Sequence, residues 1–503
     1  MELGLFGLFR RFLRQLRWFA PAALARRASI SFGAELLGQA SAKPDKVARH
    51  GSTLGSICAN LSAKTSCDVQ VFLAQRLNPI ATLHFRQQSG ASWVEIVPNR
   101  SFPTLESFPW YPSLLGTTQE RCHLNLDGDL QDALLESILL KQASGFAACV
   151  LRQALEGGLL DSLSGDSALD LKLHSLSVIP DAVRLGALSI RPLGAERPAW
   201  DVSADFRTRQ FLPHISQLES MQVAVHAIEK GLASQIQLHQ ALLAATAVPG
   251  SRPKCTCLDD SNEMWVAKLR LTRDQANVVL WESLTMTIAS RLKMGAADHQ
   301  LRNCAGQPVL LYKRFDRTTQ NKLGMVSARS LLRSRPSGLQ VGSGLLDDVW
   351  LLLDCMRQYC EDYDRDAVLL FRQLLYMWLI GVPGDILRKV NFLQGSGGRI
   401  WLAPAVGLRF EAVNDPTSDA LAKSQQNRVL SIKALLAAAD EFTLTRSDAI
   451  TILREQDLFL RAWRITAQEL SGRMEVKDFW LLEAAAKSIF QVADRVYSSS
   501  TAC

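Results

Sequence analysis

The 503-residue sequence contains no pair of cysteines at C-x-x-C spacing. Its ten cysteines are scattered, the close pairs being Cys255/Cys257 and Cys355/Cys360, and no Cys/His cluster has zinc-ligand spacing. A disulfide scaffold and a zinc module are therefore excluded, and reduced thiols in a cytosolic protein are expected. Walker A, G-x-S-x-G and H-E-x-x-H patterns are also missing, which removes the common phosphate-loop, serine-hydrolase and metalloprotease readings. There is no 20–50-residue repeat and no low-complexity tract. The longest apolar stretch, 367–381, is short and holds Arg372, so it reads as a buried helix rather than a membrane span.

Charge of one sign is scarce except at one end. The formal net charge is +7. Residues 1–30 hold Arg10, Arg11, Arg14, Arg17, Arg26 and Arg27 against Glu2, +6 − 1 = +5. The rest of the chain is near neutral, so direct nucleic-acid binding is not expected. In the same stretch Leu5, Phe9, Phe12, Leu16 and Phe19 recur at helical spacing, with Arg10, Arg14 and Arg17 on another face, and Pro21 closes the run. Residues 5–19 thus form a candidate contact with a membrane surface. A docking helix for a partner and a plain extension fit the same pattern.

What is present is a change of periodicity along the chain. Residues 38–56 read as a polar linker. DVQVFLAQ, ATLHFRQ and SWVEIVP, within 67–98, alternate as a short antiparallel sheet does. Residues 130–160 and 216–246 read as helical, with a turn and strand in IPDAVRLGALSIRPL between them. KCTCLDD, MWVAKLRL, a segment from about 274 to 293, and QPVLLYKRFDR then predict strand, strand, helix, strand. From about 343 the apolar spacing is helical almost throughout, in VWLLLDCMRQYC, AVLLFRQLLYMWLI, VLSIKALLAAADEF, DLFLRAWRITAQEL and FWLLEAAAKSIFQVAD.

One residue in this pattern demands a partner. Lys268 lies in MWVAKL among apolar neighbours, where an ammonium is unwelcome unless it is paired. Glu282, on the helix that follows, can supply the pairing charge. In kinase-like folds such a lysine holds nucleotide phosphates and the glutamate positions it. A lysine reaching to the surface beside a solvated glutamate is the alternative.

Several stretches, in order, resemble the HipA family of bacterial serine/threonine kinases, the toxin halves of toxin–antitoxin pairs. PGSRPK (249–254) resembles the family's phosphate loop and MWVAKL (264–269) its lysine strand. NVVLWESLTMTIA (277–289) resembles the glutamate helix, LLYKRFDR (310–317) the hinge, LFRQLLYMWLIG (370–381) the helix before the catalytic loop, and WLAPAVGL (401–408) the metal-loop strand. VRLGALSI (183–190) resembles an N-terminal family segment. The resemblance covers roughly 165–497, more loosely from 67.

The resemblance implies an α+β chain with a HipA-like kinase fold, β-rich N-terminal subdomains preceding an all-helical C-terminal lobe. The corresponding divisions are a basic extension and linker (1–56), an N-terminal α/β subdomain (57–240), a kinase-like N-lobe (241–318) and a helical C-lobe (319–503). It implies ATP as ligand, held by Gly250, Ser251, Arg252, Lys254, Lys268, Glu282, Phe315, Asp316 and Lys389. It implies a protein partner, a helix-turn-helix antitoxin-like protein.

The same resemblance exposes what is missing. The family's catalytic Asp falls on Gly384, its loop His on Ile386, its metal-binding Asn on Lys389 and its metal-binding Asp on Gly407. Mg²⁺ loses its ordinary protein ligands, so no metal site is expected. Asp385 is one position late, a rotation of about 100° on a helical path, and is the one substitute for the catalytic carboxylate; as an alternative it starts a helix by accepting backbone N–H groups. A pseudokinase scaffold is expected, with little or no phosphotransfer. The competing reading is an active HipA-type serine/threonine kinase that uses Asp385.

Overall fold

In the computed structural model the structure describes residues 66–73, 79–88, 91–99, 122–125, 145–160, 183–193, 212–245, 248, 252–272, 274, 277–304, 306–318, 322–333, 345–380, 386–395, 398–409 and 432–470. The N-terminal basic helix, the linker, Gly250, Ser251, Gly384, Asp385 and the segment FWLLEAAAKSIFQVAD lie outside the described residues.

The alternating segments form β1 (Ser66–Leu73), β2 (Ala81–Gln88) and β3 (Ala91–Pro98), joined by β4 (Cys122–Asn125). Helix α1 (Phe146–Glu156) follows, and then β5 (Leu188–Pro192), after the turn read from IPDAVRLG. The five strands make one antiparallel sheet in the order β4-β3-β2-β1-β5. Its register sets Val69 opposite Leu83 and Phe85 opposite Val94, all buried. Asp68, His84 and Arg86 take the other face, where Arg86 donates to Asp68 at 2.6 Å. This is the period-two pattern with one face on the core.

The stretch 216–246 forms two helices, α2 (Leu218–Glu229) and α3 (Gln235–Ala244). Gly231, at φ +69°, supplies the left-handed turn between them. Ser234 and Gln237 then close a reciprocal capping box at the start of α3. The sequence carried both signals beneath a continuous helical spacing.

The next four strands are β6 (Lys254–Leu258), β7 (Met264–Lys268), β8 (His299–Cys304) and β9 (Gln307–Lys313), with helix α4 (Val278–Arg291) between β7 and β8. They pair in the order β6-β7-β9-β8. Strand β8 was not predicted. It is a polar edge strand, HQLRNC, with no fully buried residue, so it lacks the alternation that marks a half-buried strand.

Beyond β10 (Gly324–Ser327) and α5 (Ala328–Arg333), the C-terminal part is helical: α6 (Leu345–Tyr359), α7 (Tyr363–Leu379), then, after two short strands, α8 (Ile432–Ala437), α9 (Arg446–Arg461) and α10 (Trp463–Glu469). Those strands, β11 (Asn391–Gln394) and β12 (Ile400–Leu402), pair with β10 in a three-stranded sheet, so the lobe is not helical throughout. Strands of four and three residues are too short to display a period, which is why 391–394 was not legible as a strand. Helix α7 contains residues 367–379 of the apolar run, and it is a core helix: Leu370, Phe371, Leu374, Leu375 and Tyr376 are fully buried. Each such large side chain contributes about 1.5–3 kcal/mol. No helix among the described residues is long and apolar enough to cross a membrane.

Candidate functional site

The sheet β6-β7-β9-β8 separates two cores, and its two faces differ. Cys255, Cys257, Trp265, Ala267, Val309 and Leu311 pack into an apolar cluster with Leu218, Val225 and Leu238 from α2 and α3. Lys254, Lys268 and Tyr312 alternate with these residues and so take the opposite face, on the side of α4.

On that face Lys268 finds the partner it needs. Its ammonium pairs with Glu282 Oε1, and the Tyr312 hydroxyl donates to the same oxygen. The lysine and glutamate side chains are 15% and 8% exposed. Lys268 Nζ also lies 4.9 Å from the centroid of the Tyr312 ring, a cation–π distance. Glu282 is aimed by α4, whose start is fixed by Asn277 accepting from the Leu280 N–H at 3.3 Å. The expected Lys–Glu pair is therefore formed; Tyr312 was missed, although its strand alternation placed it on this face.

Lys254 stands directly opposite Lys268 in the β6–β7 register. Two like charges in this position repel. Burial, then Lys268, holds Lys254 down to about 7. Burial likewise lowers Lys268, Glu282 opposing and Arg409 and Arg252 adding to the depression. Arg252 is itself paired with Asp274 at 2.5 Å, and its carbonyl accepts from Lys254 Nζ at 3.3 Å.

The charge of Arg409 also acts on Lys268, and nothing in its own sequence neighbourhood announces it. The chain after β12 is pinned in two places. Ala405 N–H donates to Gly295 O at 2.8 Å and Ala297 N–H donates to Ala405 O at 3.0 Å. Thr285, one turn beyond Glu282 on α4, donates its hydroxyl to the Leu408 carbonyl. Tyr376 of α7 donates to the Thr285 carbonyl at 2.7 Å. Thr285 thus ties α4, α7 and the segment before Arg409 together. Gly407 between these pins has φ +72° and open space where a Cβ would project.

Other expected site residues fall elsewhere. Asp316 is 2% exposed and forms a structural latch. Arg314 grips both carboxylate oxygens at 2.7 Å, Arg317 donates at 2.8 Å and the Gly186 N–H at 2.8 Å. Burial works against its charge, but the two guanidinium groups and these hydrogen bonds hold its carboxyl well below the usual range. The arginines also donate to Val183, Arg184 and Gly186 carbonyls, fastening 183–186 to the end of β9. Asp316 is thereby removed from the expected nucleotide-facing set. Phe315 packs, partly buried, on the larger core. Lys389 ends the 3₁₀ turn 386–388, its N–H donating to Ile386 O at 2.9 Å and its carbonyl accepting from Asn391 Nδ2 at 3.0 Å.

Comparison with known proteins places this geometry. The family model for a HipA-like C-terminal domain matches residues 246–463. That stretch of the chain is similar to a HipA-like C-terminal domain. No curated protein sequence matches it. Among solved structures it is similar to a chain of the Shewanella oneidensis MR-1 toxin–antitoxin complex of HipA, HipB and operator DNA. There the identity is 15%, the TM-score 0.52, and 85% of this chain and 97% of that one are covered. At that identity the likeness concerns the fold alone. A Helicobacter pylori proinflammatory kinase, CtkA, matches at 15% identity and TM-score 0.33 over 48% of this chain and 90% of its own, too low to carry an argument.

The side chains described at this site suit an anion better than a divalent cation. Phosphate oxygens fit a surface bearing Lys254, Lys268 and Arg409. Among the described residues a divalent cation does not: Glu282 is engaged by Lys268 and Tyr312, and Gly407 offers no side chain. Cationic groups occupy the neighbourhood where carboxylates would be needed.

Proposed function

We propose that this HipA-like chain is a pseudokinase scaffold: it binds a protein partner, holds ATP phosphates weakly, and transfers little or no phosphate. One observation carries the reading. The Lys268–Glu282 pair is assembled and braced by Tyr312, while the pinned segment beside it carries Gly407 where the resemblance gives a metal-binding carboxylate. Holding phosphate and transferring it are separable tasks. The first needs fixed cations; the second also needs a metal and a group that orients the nucleophile. A general base is worth roughly 10²–10⁴ in rate, and loss of the metal removes charge stabilisation besides.

A protein partner is supported by the Shewanella complex, which holds HipA together with HipB and operator DNA. By resemblance the partner of this chain is a helix-turn-helix antitoxin-like protein, bound in the cytoplasm.

Incubation of the whole chain with labelled ATP and Mg²⁺ tests the reading. The expected result is no label on the chain or on generic protein substrates. Labelling that disappears in Lys268→Met and in Asp385→Ala would establish the active kinase instead.

A further inference from the structure

A divalent cation in a phosphate site cancels negative charge and bridges oxygens. Among the described residues this site lacks the carboxylates for such an ion, but positive side chains come toward it from three segments. Lys268 comes from β7 and Lys254 from the facing position on β6. Arg409 follows the segment pinned to α4 through Thr285 and Leu408 and to the turn after α4 through Ala405. It stands close enough for its charge to act on Lys268. A carboxylate at Gly407 could not share that space without changing the balance: the left-handed φ of +72° disfavours any side chain there.

We propose that Arg409 and Lys254 take the place of a metal in this site and bind directly the oxygens of a metal-free polyphosphate anion, a nucleotide's or an inorganic one. The inference rests on the reading above that Lys268 still faces phosphate. Arg409 is the permanent charge, a planar fork that matches two phosphate oxygens at once. Lys254 is the adjustable one. The groups around it are Lys268 on β7, Glu282 on α4, and Arg252 on its own strand's approach, with Asp274 behind Arg252. Tyr312 on β9 donates to Glu282, and the charge of Arg409 acts on Lys268. Against these neighbours Lys254 is about half protonated at neutral pH. An arriving polyanion favours the charged form, so binding draws a proton onto Lys254. Affinity must therefore fall as pH rises above 7. The ligand's own last ionisation, near pH 6 for a phosphate monoester, works in the opposite direction and is largely complete at neutral pH.

Calorimetric titration of the whole chain in EDTA, at pH 7.0 and pH 8.5, with ATP and with inorganic tripolyphosphate, tests this. The expected result is metal-free binding that weakens by about tenfold at the higher pH, one proton being worth up to a factor of ten per pH unit. Lys254→Gln removes that pH dependence. Arg409→Gln weakens binding by about tenfold or more, the scale of a lost charge-assisted hydrogen bond. Arg409→Lys restores part of it, and unliganded melting curves confirm that each variant is folded. Equal affinity for the two ligands assigns the site to the polyphosphate group alone; a preference for ATP assigns it to a nucleotide. Binding that appears only when Mg²⁺ is added, an Arg409→Gln variant that binds like the native chain, or a pH dependence that survives Lys254→Gln would overturn the proposal. Phosphotransfer observed alongside metal-free binding would end the pseudokinase reading and leave this one standing. Absence of both would do the reverse.

Discussion

Two clusters of buried charge lie at β9, one past its end and one on its face toward α4, and their carboxylates pair with different cations. Around Asp316 the cations are arginines, and their donors end on the carboxylate or on the carbonyls of Val183, Arg184 and Gly186. Glu282 is paired instead with a lysine, Lys268, which faces Lys254 across two strands; both lysines are held below the usual ammonium range, Arg252 and Arg409 adding to the depression. Arginine cannot shed its proton in a protein; a buried lysine can. The first cluster is a latch that fastens one part of the chain to another. The second keeps positive charge in a half-buried setting where an anion would relieve the repulsion, as the proposed phosphate site requires.

The difference can be broken by removing each carboxylate. Asp316→Ala leaves Arg314 and Arg317 buried without their counter-charge and is expected to destabilise by about 3–5 kcal/mol, the usual cost of breaking a buried pair. Chemical denaturation reads it, and raising the pH from 7 to 9 should recover none of the loss, because both guanidinium groups stay charged. Glu282→Gln is expected to cost less, and part of that loss should return between pH 7 and 9 as Lys254 gives up its proton. Equal recovery in the two variants would dissolve the distinction.

Lys254→Met gives the smallest effect and sharpens the comparison. The native Lys254 sits at about 7 when folded, against about 10.4 in an unfolded chain. Between those values the unfolded chain binds more protons, so stability rises with pH across that window. The melting temperature of the unliganded chain is expected to climb from pH 7 to pH 9, and the climb should be shallower in Lys254→Met.

The legibility of these regions followed from how local their physics is. A lysine flanked by apolar strand residues demands a partner, so Lys268 and Glu282 could be read together. The charges in KRFDR were visible too, but the two roles open to Asp316 differ only in burial, which the sequence does not print. Arg409 could not be read at all: its position depends on a hydroxyl of α4 and a turn more than a hundred residues earlier. The edge strand β8 was hidden by its polarity, and the break between α2 and α3 by apolar spacing that runs on through Gly231. The family resemblance supplied order where spacing could not, and its departures at Gly384, Lys389 and Gly407 gave the functional reading its direction.

The most direct measurement compares melting of the native chain with saturating ATP in EDTA and with saturating ATP in excess Mg²⁺. A ligand at 100 times its dissociation constant stabilises a fold by about 2.7 kcal/mol, which melting resolves. A site in which Arg409, Lys254 and Lys268 do the work of a metal gives nearly the same shift in both conditions, and loses it in Lys268→Met. A shift that appears only with Mg²⁺ would contradict that directly, since it would require metal ligands that the described residues of this site do not offer.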